Sequence, residues 1–150
     1  MPVQQPGQTQ LLVIGYGNVL RSDDGVGPKI AEAMGAMALP EVEILTCDLL
    51  TPELAEPISR AVKVVFVDAS VEARREVLLR QLYPADSSQL MAHAADPRTM
   101  LALSRDVFGQ IPEAWWLTIP IENLTFGQVL SPMAEKGFNA ALEILKRIAT

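Results

Sequence analysis

Apolar positions along the chain fall into short runs broken by glycine, proline and charge. Leu11, Leu12, Val13 and Ile14 are consecutively apolar, as a strand buried on both faces should be, which predicts a first strand over 10–16. Val42, Ile44 and Leu45 predict a short second strand. Val62 to Val67 predicts a third, ending on Asp68-Ala69-Ser70. Glu76 to Leu82 predicts a fourth, placed at an edge by Arg80 and Gln81, and Ala114 to Ile119 predicts a fifth. Between them lie runs of helical period. Pro28 suits the first position of a helix reaching about Ala38. Thr51-Pro52, Asp96-Pro97 and Ser131-Pro132 each read as an N-cap followed by a first-turn proline. They open helices over about 52–60, shortened by Pro57, from 97 to about Phe108 with Gly109 as its stop, and from 132 onward. Phe138, Ala141, Leu142, Leu145 and Ile148 give the last helix its buried face.

Strands alternating with helices predict one α/β domain over 10–150 behind a disordered tail, 1–9: a three-layer α/β/α sandwich on a five-stranded, mostly parallel sheet. The fourth strand follows the third too soon for a parallel crossover of a dozen residues, so it should be an antiparallel edge strand and the sheet mixed. Doubly wound topology places the first strand between the second and third, with a ligand crevice at their carboxyl ends.

The loop entering that crevice, 17–27, carries Asp23 and Asp24 among Gly15, Gly17, Gly25 and Gly27. Asp23 reads as a turn former and Asp24 as the chemical residue. Asp68, 44 positions on, ends the neighbouring strand, where either a cap or a functional acid fits. His93, the sole histidine, lies in a polar loop over 83–95 and either is incidental or swings over the same crevice. Two carboxylates and an imidazole form a plausible O,O,N metal site with open positions. Trp115 and Trp116 alternate across a strand, one expected in the core and the other under a helix, and Cys47 reads as a small buried filler.

Composition removes several classes. Net charge is −6 with scattered Lys and Arg, which argues against nucleic acid. No apolar run approaches the ~20 residues of a membrane span, and MPVQQPGQTQ has no basic n-region, so it reads as a tail rather than a signal peptide. The single cysteine excludes a disulfide framework and a Cys-based zinc site, with the cytoplasm as default location. GYGNVL supplies two glycines of G-x-G-x-x-G but has Leu20 at the third, and the predicted helix begins too late to meet a pyrophosphate. A nucleotide-binding domain is therefore the weaker alternative. There is no G-x-S-x-G elbow.

The segment GYGNVLRSDDGVG resembles the signature of the hydrogenase maturation proteases through Gly15, Gly17, Asn18, Leu20, Asp23, Asp24, Gly25 and Gly27. Phe66 to Ser70, His93 and Leu130 to Pro132 also fall where the family has its strand end, its histidine and its last helix start. The chain departs from the family at TCDLLTPEL after the second strand, where many members carry an Asp-Gly-Gly-Thr-like segment. The resemblance implies a phosphorylase/hydrolase-like fold and an aspartic-type, metal-assisted endopeptidase. Its partner would be the precursor of a nickel–iron hydrogenase large subunit, which loses a C-terminal peptide once nickel is in place. Nickel would come with the substrate, and no organic cofactor is implied. Asp24, Asp68 and His93 match the proposed metal contacts, with Asp24 or Asp68 as catalytic acids and Gly17, Asn18, Asp23, Gly25 and Gly27 as the substrate loop. Asn18 would bridge loop backbone or serve a developing oxyanion. A non-catalytic precursor chaperone is the alternative within the same partnership. A monomer is expected, since no apolar surface stripe offers a dimer face.

Overall fold

The computed structural model describes residues 8–72, 75–86 and 96–150. Strands β1 (Thr9–Tyr16), β2 (Val42–Cys47), β3 (Ala61–Ser70), β4 (Leu78–Leu82) and β5 (Glu113–Pro120) form one sheet in the order β2-β1-β3-β5-β4. The pairs β1·β2, β1·β3 and β3·β5 are parallel, and β4 runs antiparallel to β5 at the edge. The fold class, the central position of β1 and the antiparallel edge strand are thus as expected.

Period-2 alternation sorts side chains into two cores. Leu11, Val13, Val65, Val67, Leu117 and Ile119 meet helices α1 (Val26–Ala36) and α4 (Pro132–Ala149) on one face. Leu12, Ile14, Tyr16, Val64 and Phe66 meet α2 (Ala55–Ser59) and α3 (Pro97–Phe108) on the other. The tryptophans obey the same alternation: Trp115 packs on the first core and Trp116 on the second, each half-buried, so neither is wholly core. Cys47 is likewise half-buried, beside the second core.

Several boundaries move. Thr9 belongs to β1, its N–H donating to Arg60 O at 3.0 Å, while residues 1–7 of the expected tail lie outside the described residues. Helix α1 starts at Val26, entered through a 3-10 turn over Ser22–Gly25, so Pro28 is not its first residue. The proline is tolerated because the first N–H groups of any helix lack an intrahelical partner. The helix end therefore does reach the glycine loop, contrary to the argument used against phosphate. What opposes an anion there is Asp23 and Asp24, both in the 3-10 turn. Asp96 and Ser131 cap as expected, accepting from Arg98 N and Ala134 N, and Gly109 ends α3 at φ 73°. Thr51 makes no side-chain cap, and the segment it opens splits into a 3-10 turn (Pro52–Leu54) and the short α2, because Pro57 cannot donate to a continuous ladder.

Helix α1 lies directly on the carboxyl ends of β1 and β3 because Gly27 has no side chain. A Cβ there would stand 2.5 Å from Val67 O and 2.7 Å from Tyr16 O, both rigid backbone. Gly27→Ala is expected to lower the unfolding free energy by about 3 kcal/mol, the upper end for overpacking. Urea unfolding checks this; a loss under about 0.5 kcal/mol would show that the helix can step away from the sheet.

Candidate active site

The β1 loop is built around a backbone contact that only glycine allows. Gly17 sits at φ 143°, and a Cβ on it would fall 2.0 Å from Asp24 O. Its N–H donates to Cys47 O at 3.1 Å, tying the loop to the end of β2. Asn18 N–H donates to Asp24 Oδ2 at 2.7 Å, and Asn18 Oδ1 accepts from Leu20 N at 2.9 Å. Asn18 therefore does bridge loop backbone, and it holds one oxygen of Asp24 in place. Among the described residues Asp24 Oδ1 makes no hydrogen bond, and the side chain is half-buried at the crevice.

Asp23 behaves differently from its neighbour. It is fully buried, and its carboxylate accepts from Glu122 N and Asn123 N at 3.0 Å, Ser131 N at 2.7 Å and Ser131 Oγ at 2.6 Å. Burial alone would push this carboxyl up; the Ser131 hydroxyl and the three backbone N–H groups outweigh it and hold it below the usual carboxylate range. Asp23 is thus neither a local turn former nor exposed to a substrate. It bonds residues about a hundred positions away, joining the β1 loop to the β5–α4 loop. Gly25 and Gly27 are also buried, and their missing side chains are used for internal packing against Val19 and the sheet ends.

Asp68 lies inside β3, two residues before its end, on the same face as Tyr16 and Trp116. Tyr16 Oη donates to Asp68 Oδ2 at 2.9 Å. Burial pushes the Asp68 carboxyl up to about 6; the Tyr16 bond opposes this, and the negative charge of Asp24 adds to it. The 3-10 turn that holds Asp24 packs on β3, so the two acids stand at the carboxyl ends of adjacent strands. Burial, then the charge of Asp68, drives the Tyr16 phenol far above its ordinary value, so Tyr16 stays protonated and donates. The Trp116 Nε1 is buried, meets no hydrogen-bond partner among the described residues at bonding distance, and lies close enough to Asp68 to favour its ionised form. Cys47, at the end of β2, has its thiol pushed up by burial and then by Asp48 and Glu53, which leaves it a poor nucleophile.

The structure thus places Asp24 and Asp68 on neighbouring elements at the carboxyl edge of the sheet, while His93 lies outside the described residues. Among the described residues no three His, Cys, Asp or Glu side chains cluster as a metal centre would need. Two carboxylates suit a hard or borderline cation that arrives with other ligands of its own. Sequence reading missed Tyr16, Trp116 and Ser131. Tyr16 sits between two glycines at a strand end, a hint that its polar tip has a task, and Ser131 was visible only as a cap.

No protein-family model matches the chain, and no curated protein sequence does. Solved structures do. The chain is similar to the [NiFe] hydrogenase maturation protease HycI from Thermococcus kodakarensis KOD1, with TM-score 0.75 and 20% identity over 96% of this chain and 94% of that one. It is also similar to the hydrogenase maturating endopeptidase HybD from E. coli, with TM-score 0.70 and 22% identity over 91% and 90%. An endopeptidase from Escherichia coli matches with TM-score 0.68 and 25% identity over 91% and 90%. The fold is that of the hydrogenase maturation endopeptidases. Within that fold the expected acids, Asp24 and Asp68, stand at the carboxyl edge of the sheet.

Two stability outcomes follow from Asp23 and Asp68. Asp23→Ala strands two buried backbone donors and the Ser131 pair, and should cost about 3–5 kcal/mol at pH 7. Asp23→Asn, which keeps one acceptor, should cost less. Thermal unfolding of both variants checks this, and equal losses would contradict the bonding scheme. Asp68 carries the opposite sign. Its folded pKa lies above the unfolded value near 3.9, so the native state holds the extra proton between about pH 4 and 6, and stability falls as pH rises through that window. Asp68→Asn should therefore be more stable than the parent by about 1–3 kcal/mol at pH 8 and lose this advantage at pH 4. Urea unfolding at both pH values reads the difference, and a pH-independent difference would be the contrary result.

Proposed function

We propose that this chain is an endopeptidase that removes a C-terminal peptide from the nickel-loaded precursor of a nickel–iron hydrogenase large subunit. The observation that supports the reading is the placement of Asp24 and Asp68 at the carboxyl ends of β1 and β3, within a hydrogenase maturation endopeptidase fold. The resemblance of the glycine–acid loop supports the same reading.

The chemistry follows from how differently the acids are held. Asp68, raised to about 6, is ionised at neutral pH yet basic enough to accept a proton from water. That water attacks the scissile carbonyl, and Asp68 then passes the proton to the leaving amine, so no net proton is consumed at the enzyme. Tyr16, locked as a donor, fixes which Asp68 oxygen faces the crevice. Asp24 keeps Oδ2 on Asn18 and presents Oδ1 toward the substrate's nickel, whose remaining ligands belong to the precursor. The nickel polarises the carbonyl or the attacking water. His93 is the third contact expected from the resemblance.

The test is the mass of a nickel-loaded precursor after incubation. The parent should remove a C-terminal peptide; Asp24→Asn and Asp68→Asn should each slow removal by at least about 10²-fold, the usual scale for a general base. An uncut precursor that nonetheless forms a stable complex would favour the chaperone alternative. With Asp68 acting as base, the processing rate should fall as pH drops through about 6, since protonation removes the acceptor. A rate that is flat from pH 5 to 8 would remove Asp68 from that role.

A further inference from the structure

Five of the exposed apolar side chains gather on two neighbouring loops. Val19 and Leu20 lie in the β1 loop, and Leu124, Phe126 and Val129 in the β5–α4 loop, with Phe126 86% and Val129 80% exposed. Exposure of this kind in a loose loop would mean little, but these loops are stitched together. Ser22 N donates to Gly127 O and Gly127 N to Leu20 O, both at 2.8 Å. Asp23 N donates to Asn123 O at 3.0 Å, and Ser22 Oγ donates to Thr125 O at 2.7 Å. Lys29 Nζ donates to Gln128 O. Arg21 and Gly127 form a parallel bridge, so Leu20 and Phe126, one residue before each partner, stand side by side. Even Ser22 is held at φ 50°, a conformation a non-glycine residue keeps only when its surroundings impose it. The result is a firm apolar platform beside Asp24, at the rim of the candidate active site.

The surroundings of the platform say what it fits. The described residues at this edge of the sheet include Asp24, Asp48, Asp68, Glu72 and Glu122 against Arg21, Lys29 and Arg75. A contiguous exposed apolar surface marks a protein contact, and an acidic crevice beside it favours a positively charged segment or centre. We infer that Leu20, Leu124, Phe126 and Val129 form the docking face for the folded body of the substrate protein, which meets them with an apolar patch while its cationic cleavage region enters the acidic crevice. This rests on the proposed endopeptidase reading and extends it: recognition would depend on folded precursor surface beyond the residues being cut.

The experiment is steady-state processing of the cognate nickel-loaded large-subunit precursor by the parent, Phe126→Ser, Val129→Ser and the control Val107→Ser. Val107 is exposed but lies at the end of α3, away from the crevice. Phe126→Ser and Val129→Ser should each raise KM at least tenfold with kcat within twofold, while Val107→Ser matches the parent. Phe126 and Val129 are so exposed that folding should be unchanged, which thermal unfolding verifies for each variant. Unchanged KM in both rim variants, with the parent active, would overturn the docking face and leave the endopeptidase reading standing. A parent that leaves the precursor uncut would overturn that reading and this inference with it. A parent that sediments as a dimer, and becomes a monomer on Phe126→Ser, would assign the face to a second copy of the chain and overturn the inference.

Discussion

The buried carboxylate of Asp23 is the contact on which the active-site region depends. Its two oxygens gather two backbone N–H groups of the β5–α4 loop and both the N–H and hydroxyl of Ser131, the residue that caps α4. A charge so deeply buried is tolerated only when its hydrogen-bonding capacity is filled, and here it is. The consequence reaches three places. Helix α4 starts where Ser131 is held, the β5–α4 loop is fixed against the β1 loop, and Asp24, next in sequence, is aimed at the crevice rather than at the core.

Asp24 and Asp68 occupy the other side of that arrangement. Asp68 is half-buried, has no ion-pair partner among the described residues, feels the negative charge of Asp24, and accepts a hydrogen bond from Tyr16. A carboxylate so placed costs stability when ionised. Asp23 shows that the same fold can bury a carboxylate at a gain when donors surround it. The contrast between an acid surrounded by donors and one with few is the physical ground for proposing Asp68 as the general base. The apolar platform follows the same economy: hydrogen bonds spent inside the two loops allow Phe126 and Val129 to remain in water.

Much of the fold was legible because its signals are local. The four-residue apolar run of β1, the proline-marked helix starts at Pro97 and Pro132, and the short gap before β4 each constrain backbone geometry within a few residues. Where local signals compete, the reading slipped. Pro28 suggested a helix start two residues late, because the preceding 3-10 turn leaves no mark in periodicity. Asp68 was read as the end of its strand, because a polar residue after a buried run looks like an end, and β3 continues two residues further, to Ser70, through its pairing with β5.

By itself the sequence determined the class of fold, the crossover topology and the position of Asp24 and Asp68 at the carboxyl ends of adjacent strands, since strand and helix periods and right-handed crossovers follow from backbone sterics. Only the tertiary structure decided what each acid does. Asp23 and Asp24 are chemically identical neighbours, and nothing local separates one that bonds Ser131 from one that faces solvent. Burial, the donors that surround a charge and the loops that meet across a crevice come from residues far apart in the chain. Those long-range terms set the protonation of Asp68, gave Tyr16 its role and assembled the exposed face around Phe126.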